Sequence, residues 1–327
     1  MYELIEKLVN VYGPTGREGR VADTIRELVK DSVDSVETDV MGNLICVKNG
    51  KAGGKRVLLS AHMDHIGFIV VAVEKEGFLR VMPVGGVNVN TSAGRHVYFE
   101  NGTHGVMAAQ PLKEGEKLSF PHLYIDIGAE SDEEALGMVS IGDMAVWTND
   151  CHRVGRHRAT APAMDDRCAC ALLVRLLQTV KEPANTIVAV FSTQEEVGLR
   201  GARTASYALD PDIAIALDVT ANGDTPETKF PAIKLGAGAA IKIMDRASIS
   251  NPEVVQGLLR AGEAAGAPTQ REVLPFGGTD AGAMQSAKAG VAVGTVSIPC
   301  RYVHSTCEMI DLRDMDAALG LLQEYLK

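Results

Sequence analysis

The sequence predicts an α/β protein: a doubly wound, mixed but largely parallel sheet flanked by helices, with a β-rich, barrel-like domain inserted into it. Three observations predict it. Short continuous apolar runs at 56–67 (RVLLSAHMDHIG), 186–196 (TIVAVFSTQEE) and 213–220 (IAIALDVT) have the pattern of strands covered on both faces. Helical segments separate or flank these runs, and strand alternating with helix builds a doubly wound sheet. Residues 68 to 158 read differently, as short alternating segments broken by Gly and Asn-Gly turns, which is the pattern of hairpins.

In chain order, residues 18–31 place Val21, Ile25, Leu28 and Val29 at helical spacing, giving one apolar stripe to pack on a sheet. The segments FLRVMPV, RHVYFENG, HLYIDIG and MAVWTND supply the strands of the insert. A helix over 166–181 follows. Pro252 suits the first turn of a helix over 252–266, and Asp311 is a candidate N-cap for one over 311–326. The chain then divides into a discontinuous α/β domain, 1–67 and 159–327, and an insert, 68–158.

Bulk properties exclude several classes. A chain of 327 residues can bury a substantial core, and 46% hydrophobic with 23% charged residues is ordinary for a globular protein, not for a disordered one. The 32 Lys and Arg are outnumbered by 42 Asp and Glu, for a formal charge of -10, and form no basic stripe, so nucleic acid is not an expected partner. Glu3 and Glu6 interrupt the N-terminal apolar pattern, unlike a signal peptide, and no run reaches the roughly 18 uncharged apolar residues of a membrane span. A cytoplasmic protein without membrane partners is expected. The six cysteines, Cys46, Cys151, Cys168, Cys170, Cys300 and Cys307, form no CxxC pair and are expected to be reduced, packing as small apolar residues.

In open α/β sheets, ligands gather beyond the carboxyl ends of the strands. The three apolar runs end in His62 and Asp64, in Glu195 and Glu196, and in Asp218. GTVSIPCRYVHST adds His304 after another apolar run, and PAMDDRCA adds Asp165 and Asp166 at a helix start. Two imidazoles with several carboxylates suit a pair of zinc-like ions, which accept nitrogen and oxygen donors together. Such a pair needs a bridging anion, a task one aspartate can perform. Adjacent side chains on a regular strand face opposite ways, so Glu195 and Glu196 share a site only where the strand has turned, and Gly198 fits such a turn. One carboxylate then binds metal while its neighbour moves the proton of the attacking water.

Plainer roles compete with these. His96, His104, His122, His152 and His157 are expected to be ordinary surface or core histidines, and acids at a helix N-terminus are favourable by themselves. PFGGTDAGA has no phosphate-loop spacing; Gly277, Gly278 and Thr279 are candidates for close backbone approach to a substrate.

The motifs AHMDHIGF, APAMDDRCA, STQEEVGLRGA, ALDVT, GGTDAGA and YVHSTCE, in this order, resemble the metallo-aminopeptidase family that includes glutamyl aminopeptidase and the tetrahedral dodecameric aminopeptidases, part of the co-catalytic zinc exopeptidases. The resemblance spans residues 1–327, insert included. It implies peptide substrates, two divalent ions per subunit, Zn or Co, and assembly through the insert into dimers and then tetrahedral dodecamers. It implies that Asp165 bridges the ions, that His62 and Asp218 complete one site, and that Glu196 and His304 complete the other. Glu195 matches the general base, and Asp64 the acid that orients the His62 ring. The Asp165–Asp166 peptide is one that relatives often hold in cis. His65, where the family has Glu, and Cys170, where relatives often have Gly, depart from the pattern at no metal position. Arg301, close to His304 in sequence, is a candidate for favouring an acidic first residue. A zinc amidase or deacylase acting on N-acyl compounds, and a non-enzymatic scaffold, are the alternatives. The full-length match opposes the former, and the retained ligands and base oppose the latter.

Overall fold

A computed structural model describes residues 1–148 and 150–327; Asn149, in the segment MAVWTND, lies outside the described residues. Helices α1 (Tyr2–Val9) and α2 (Gly19–Val29) precede strands β1 (Ser35–Thr38), β2 (Leu44–Lys48) and β3 (Arg56–His62). Strands β4 (Gly67–Val73), β5 (Leu79–Val84), β6 (Arg95–Phe99), β7 (His104–Ala109), β8 (Leu123–Asp126) and β9 (Met144–Trp147) follow, with helix α3 (Asp132–Met138) before the last. The chain continues through β10 (His152–Val154), β11 (Arg158–Ala161), α4 (Met164–Thr179), β12 (Thr186–Ser192), α5 (Arg200–Leu209) and β13 (Ile213–Thr220). It closes with β14 (Ala239–Met244), α6 (Pro252–Ala264), β15 (Thr269–Val273), α7 (Asp280–Gln285), β16 (Ala292–Arg301), β17 (Glu308–Asp311) and α8 (Leu312–Tyr325).

Among the described residues one large sheet runs β1-β2-β12-β3-β13-β16-β17-β11-β10, with β14 and β15 branching from β16. Its centre, β12, β3, β13 and β16, is parallel. Strands β2, β14 and β17 join it antiparallel, so the sheet is mixed. These central strands are largely apolar because both faces are covered. Val57 and Leu59 point into a core with α1, α2, α4, α6 and α8, while Leu58 on the same strand joins Val188, Val190, Ala202, Ala281 and Met284 beneath α5 and α7. Removing one large side chain from this core, as in Phe191→Ala, costs about 3–5 kcal/mol. Helix α4 is buried along most of its length, which matches its run of apolar residues. The predicted caps are in place: Asp311 accepts from the Arg313 N–H of α8 at 3.0 Å, and Asn251 caps α6 ahead of Pro252.

Strands β4-β5-β8-β7-β6-β9 close into an antiparallel barrel with its own core, which includes Phe68, Phe99, Ile125 and Trp147. The barrel strands span residues 67–147, against an insert expected over 68–158. Gly67 already pairs with Val84 inside the barrel, and β10 pairs with β11, which pairs with β17 of the large sheet. The three residues of β10 are all exposed, so its pattern does not reveal which sheet it joins. The cysteines also divide: all six are free, but Cys151 is half-buried and Cys307 exposed, the latter because it lies in the loop after His304. No described helix is long and apolar enough to cross a membrane.

Arg167 ties the first helix to the centre of the sheet. It is fully buried and donates to the carbonyls of Leu8, Val11, Gly13 and Met63 at 2.6–3.0 Å. Gly13 leaves room for it, since a Cβ there would lie 2.8 Å from a guanidinium nitrogen and 2.5 Å from Val21.

Candidate metal centre

Register brings the polar ends of the central strands level. Ser192 of β12 stands opposite His62 of β3, and β13, next to β3, reaches Asp218 near its own end. After Ser192 the chain leaves the sheet through a left-handed Gln194 (φ 55°) and turns again at Gly198 (φ 122°), and Glu195 and Glu196 line the same cavity. The start of α4 brings Asp165, whose peptide to Asp166 is cis, and the loop after β16 brings His304 in a left-handed conformation (φ 62°). The predicted residues therefore converge at the carboxyl edge of the sheet.

Asp165 stands between the two histidines. Its Oδ1 lies 3.1 Å from His62 Nε2 and its Oδ2 lies 3.4 Å from His304 Nε2. On the His62 side, Asp218 Oδ1 is 3.9 Å and Glu195 Oε2 4.0 Å from Nε2. On the other side, Glu196 Oε2 is 3.2 Å from His304 Nε2. Two sets of donor atoms, His62 with Asp166 and Asp218, and Asp165 with Glu196 and His304, are each close enough to share one ion.

Three further carboxylates hold this constellation by its backbone. Asp64, fully buried, accepts from the N–H groups of Glu195 (2.9 Å) and Glu196 (3.3 Å) and from the Thr15 hydroxyl (2.8 Å). The His62 Nδ1–H points to the Asp64 carbonyl at 3.0 Å, nearer than the Asp64 carboxylate at 3.5 Å. Asp166 accepts from the His62 N–H at 3.2 Å. Glu308, not foreseen in the sequence, accepts from the N–H groups of His304 (2.7 Å) and Asp165 (2.9 Å). The signal for it was the acid of HSTCE, four residues after His304.

The barrel also reaches the centre. His304 Nδ1–H donates to the Gly86 carbonyl at 3.0 Å, which leaves Nε2 facing Asp165 and Glu196. A Cβ on Gly86 would lie 2.6 Å from that ring, so the close approach requires glycine.

Other singled-out residues stay apart. His65 is buried and its Nδ1–H donates to the Ile66 carbonyl at 2.8 Å, outside both donor sets. The Cys170 thiol donates to the His62 carbonyl at 3.0 Å. Arg301 grips Asp224 with two nitrogens at 3.0 and 2.7 Å and does not line the cavity above the centre. Thr279 caps α7, whereas Gly277 and Gly278 line that cavity, which measures about 450 Å³. His96, His104, His122, His152 and His157 belong to neither donor set.

The electrostatics follow from crowding. Burial, with Asp218 and Glu196 nearby, pushes Glu195 well above the usual carboxylate range, and burial does the same to Asp218 and Asp166. Burial also opposes the charge of Asp165, but hydrogen bonds from His304 and His62 hold it far below that range. Burial disfavours protonated His304, yet Asp165 and Glu196 outweigh it and push the ring up to about 12. Asp165, Asp166, Glu195, Glu196 and Asp218 thus surround two imidazoles, and buried oxygens of Asp166 and Glu196 have no hydrogen-bond donor. Excess buried negative charge with orphaned oxygens and two imidazole nitrogens fits divalent cations.

Comparison with known proteins agrees with this chemistry. Residues 42–321 match the M42 glutamyl aminopeptidase family. The chain is 35% identical to the lysyl aminopeptidase of Pyrococcus furiosus, over 100% of this chain and 96% of that protein. The aminopeptidase APDkam598 from the archaeon Desulfurococcus kamchatkensis superposes with a TM-score of 0.96 at 37% identity, covering 99% of this chain and 94% of that one. The TET1 peptidase of Pyrococcus horikoshii, which can assemble into a tetrahedron or a large octahedral shell, gives 0.90 at 32% identity, covering 99% and 98%. Full-length likeness to peptidases, on a fold that gathers nitrogen and oxygen donors in one cavity, has a single reading: this aminopeptidase belongs to the M42 glutamyl aminopeptidase family.

Proposed function

We propose that the protein removes N-terminal residues from short peptides at a dinuclear metal centre. The observation that carries the reading is Asp165, with one oxygen 3.1 Å from His62 and the other 3.4 Å from His304. In this reading Asp165 would be shared by two ions, His62 and Asp218 would hold one, and Glu196 and His304 would hold the other. Divalent ions held there, Zn or Co, would supply Lewis acidity to the scissile carbonyl and to water. Glu195 accepts the proton of the attacking water at a carboxylate oxygen and returns it to the leaving nitrogen, a role suited to an acid whose proton affinity is raised by burial. Asp64 fixes the turn that presents Glu195 and Glu196, and steadies the His62 ring. The acid-rich cavity favours a free amino terminus over an acylated one.

The closed barrel, with exposed Val71, Met82 and Val106, is the proposed dimerisation domain; the dodecamer and shells of relatives support a homo-oligomer, and the proposed location is the cytoplasm. The test is hydrolysis of aminoacyl p-nitroanilides and an N-acetylated control by Zn- or Co-loaded protein, with a chelated reference. Metal-dependent cleavage of the free-amine substrates alone is expected. Turnover of the blocked substrate alone would replace the proposal with a deacylase, and no turnover at all with a scaffold.

A further inference from the structure

We propose that the cavity selects a neutral, apolar first residue of leucine or methionine size, because the one lysine that lines it is already neutralised by carboxylates behind it. The inference rests on the aminopeptidase reading and names the substrate class of that site.

Lys242 of β14 is the only lysine or arginine lining the cavity among the described residues, and it is 1% exposed. Its Nζ lies 3.3 Å from Glu272 Oε1 and 3.6 Å from Asp245 Oδ2. Both acids are buried and held in place. Glu272 stands directly opposite Lys242 on β15 and accepts from the Thr220 hydroxyl. Asp245 accepts from the N–H groups of Ala247 (2.8 Å) and Ser248 (2.7 Å). One ammonium therefore faces two fixed carboxylates, and the cluster carries no spare positive charge.

An acidic substrate side chain entering beside Lys242 would lose its hydration and find no lysine or arginine without a carboxylate partner, with Asp218 and Glu195 also lining the cavity. A lysyl side chain would meet the Lys242 ammonium, since Glu272 and Asp245 do not line the cavity. The remaining wall is Leu199, Val219, Leu274, Phe276 and Val303, which offers apolar surface to a residue of that kind. Arg301, the other cation near His304 in sequence, is committed to Asp224.

The test is kcat/KM of Co-loaded protein on Leu, Met, Glu, Asp and Lys p-nitroanilides, for the wild type and for Glu272→Gln. Leu and Met should exceed the charged substrates by at least about tenfold. Glu272→Gln keeps an acceptor for Thr220 but leaves Lys242 short of one counter-charge, so the Glu-to-Leu ratio should rise by about fivefold or more. Asp245→Asn removes the other counter-charge and serves if Glu272→Gln does not fold. A wild type that prefers Glu, Asp or Lys, or a ratio unchanged in the folded variant, overturns this inference and leaves the aminopeptidase reading intact. Absence of metal-dependent cleavage of every free-amine substrate overturns both.

Discussion

Replacing Asp64 with Asn exchanges one oxygen for an amide and removes a charge while keeping the shape. The carboxylate takes the Glu195 N–H on one oxygen and the Thr15 hydroxyl and Glu196 N–H on the other. In either orientation the new NH2 faces at least one of these donors, so at least one charge-assisted hydrogen bond is lost and a donor is left buried without an acceptor. At about 1.5–3 kcal/mol for such a bond, the metal-free protein should lose about 2–4 kcal/mol of stability in urea unfolding. The same change frees the turn that carries Glu195 and Glu196 and weakens the support of the His62 ring. Calorimetric titration with Zn or Co should therefore show affinity lowered about 10–100-fold. Asp64→Asn protein that unfolds near the wild-type midpoint and binds metal within about threefold of wild type would refute the reasoning. Loss of stability with unchanged metal affinity would refute the orienting role alone.

Glu195→Gln should lower kcat by about 10²–10⁴ while calorimetry finds metal binding retained, separating proton transfer from ligation. Glu308→Ala strips the N–H groups of Asp165 and His304 of their acceptor, and should destabilise the chelated protein by about 2–4 kcal/mol in urea and weaken metal binding together with it. Burial, helped by Arg167, lowers His65 from 6.5 to about 3, so the unfolded chain binds more protons between those values and stability falls as pH falls. Between about pH 7 and pH 5 this should cost about 2 kcal/mol, and His65→Leu should flatten that limb in pH-dependent urea unfolding.

Much of the architecture was legible because burial on both faces leaves a plain record in sequence. Strands β3, β12 and β13 are nearly continuous apolar runs, and the rule that sites lie beyond their carboxyl ends picks out His62, Glu195, Glu196 and Asp218 together. Contacts made through main-chain groups of distant segments leave no such record. Glu308 and Asp165 are 143 residues apart, and Asp64 meets Glu195 across 131. Neither periodicity nor residue type reveals that these acids receive backbone N–H groups. Proximity in sequence misleads too: Arg301, three residues from His304, turns away to Asp224. The β-rich insert was visible by its hairpins, whereas the pairing of β10 with β11 was not, because three exposed residues carry no pattern.

The Gly86 carbonyl that receives the His304 ring belongs to the turn between β5 and β6 of the barrel, whereas every proposed metal ligand belongs to the large-sheet domain. The insert is therefore not a detachable module. A chain trimmed of residues 67–147 would keep all five ligands, yet the second histidine would be free to turn its ring or carry its proton on the wrong nitrogen. Two bodies with separate cores thus set the orientation of one imidazole together.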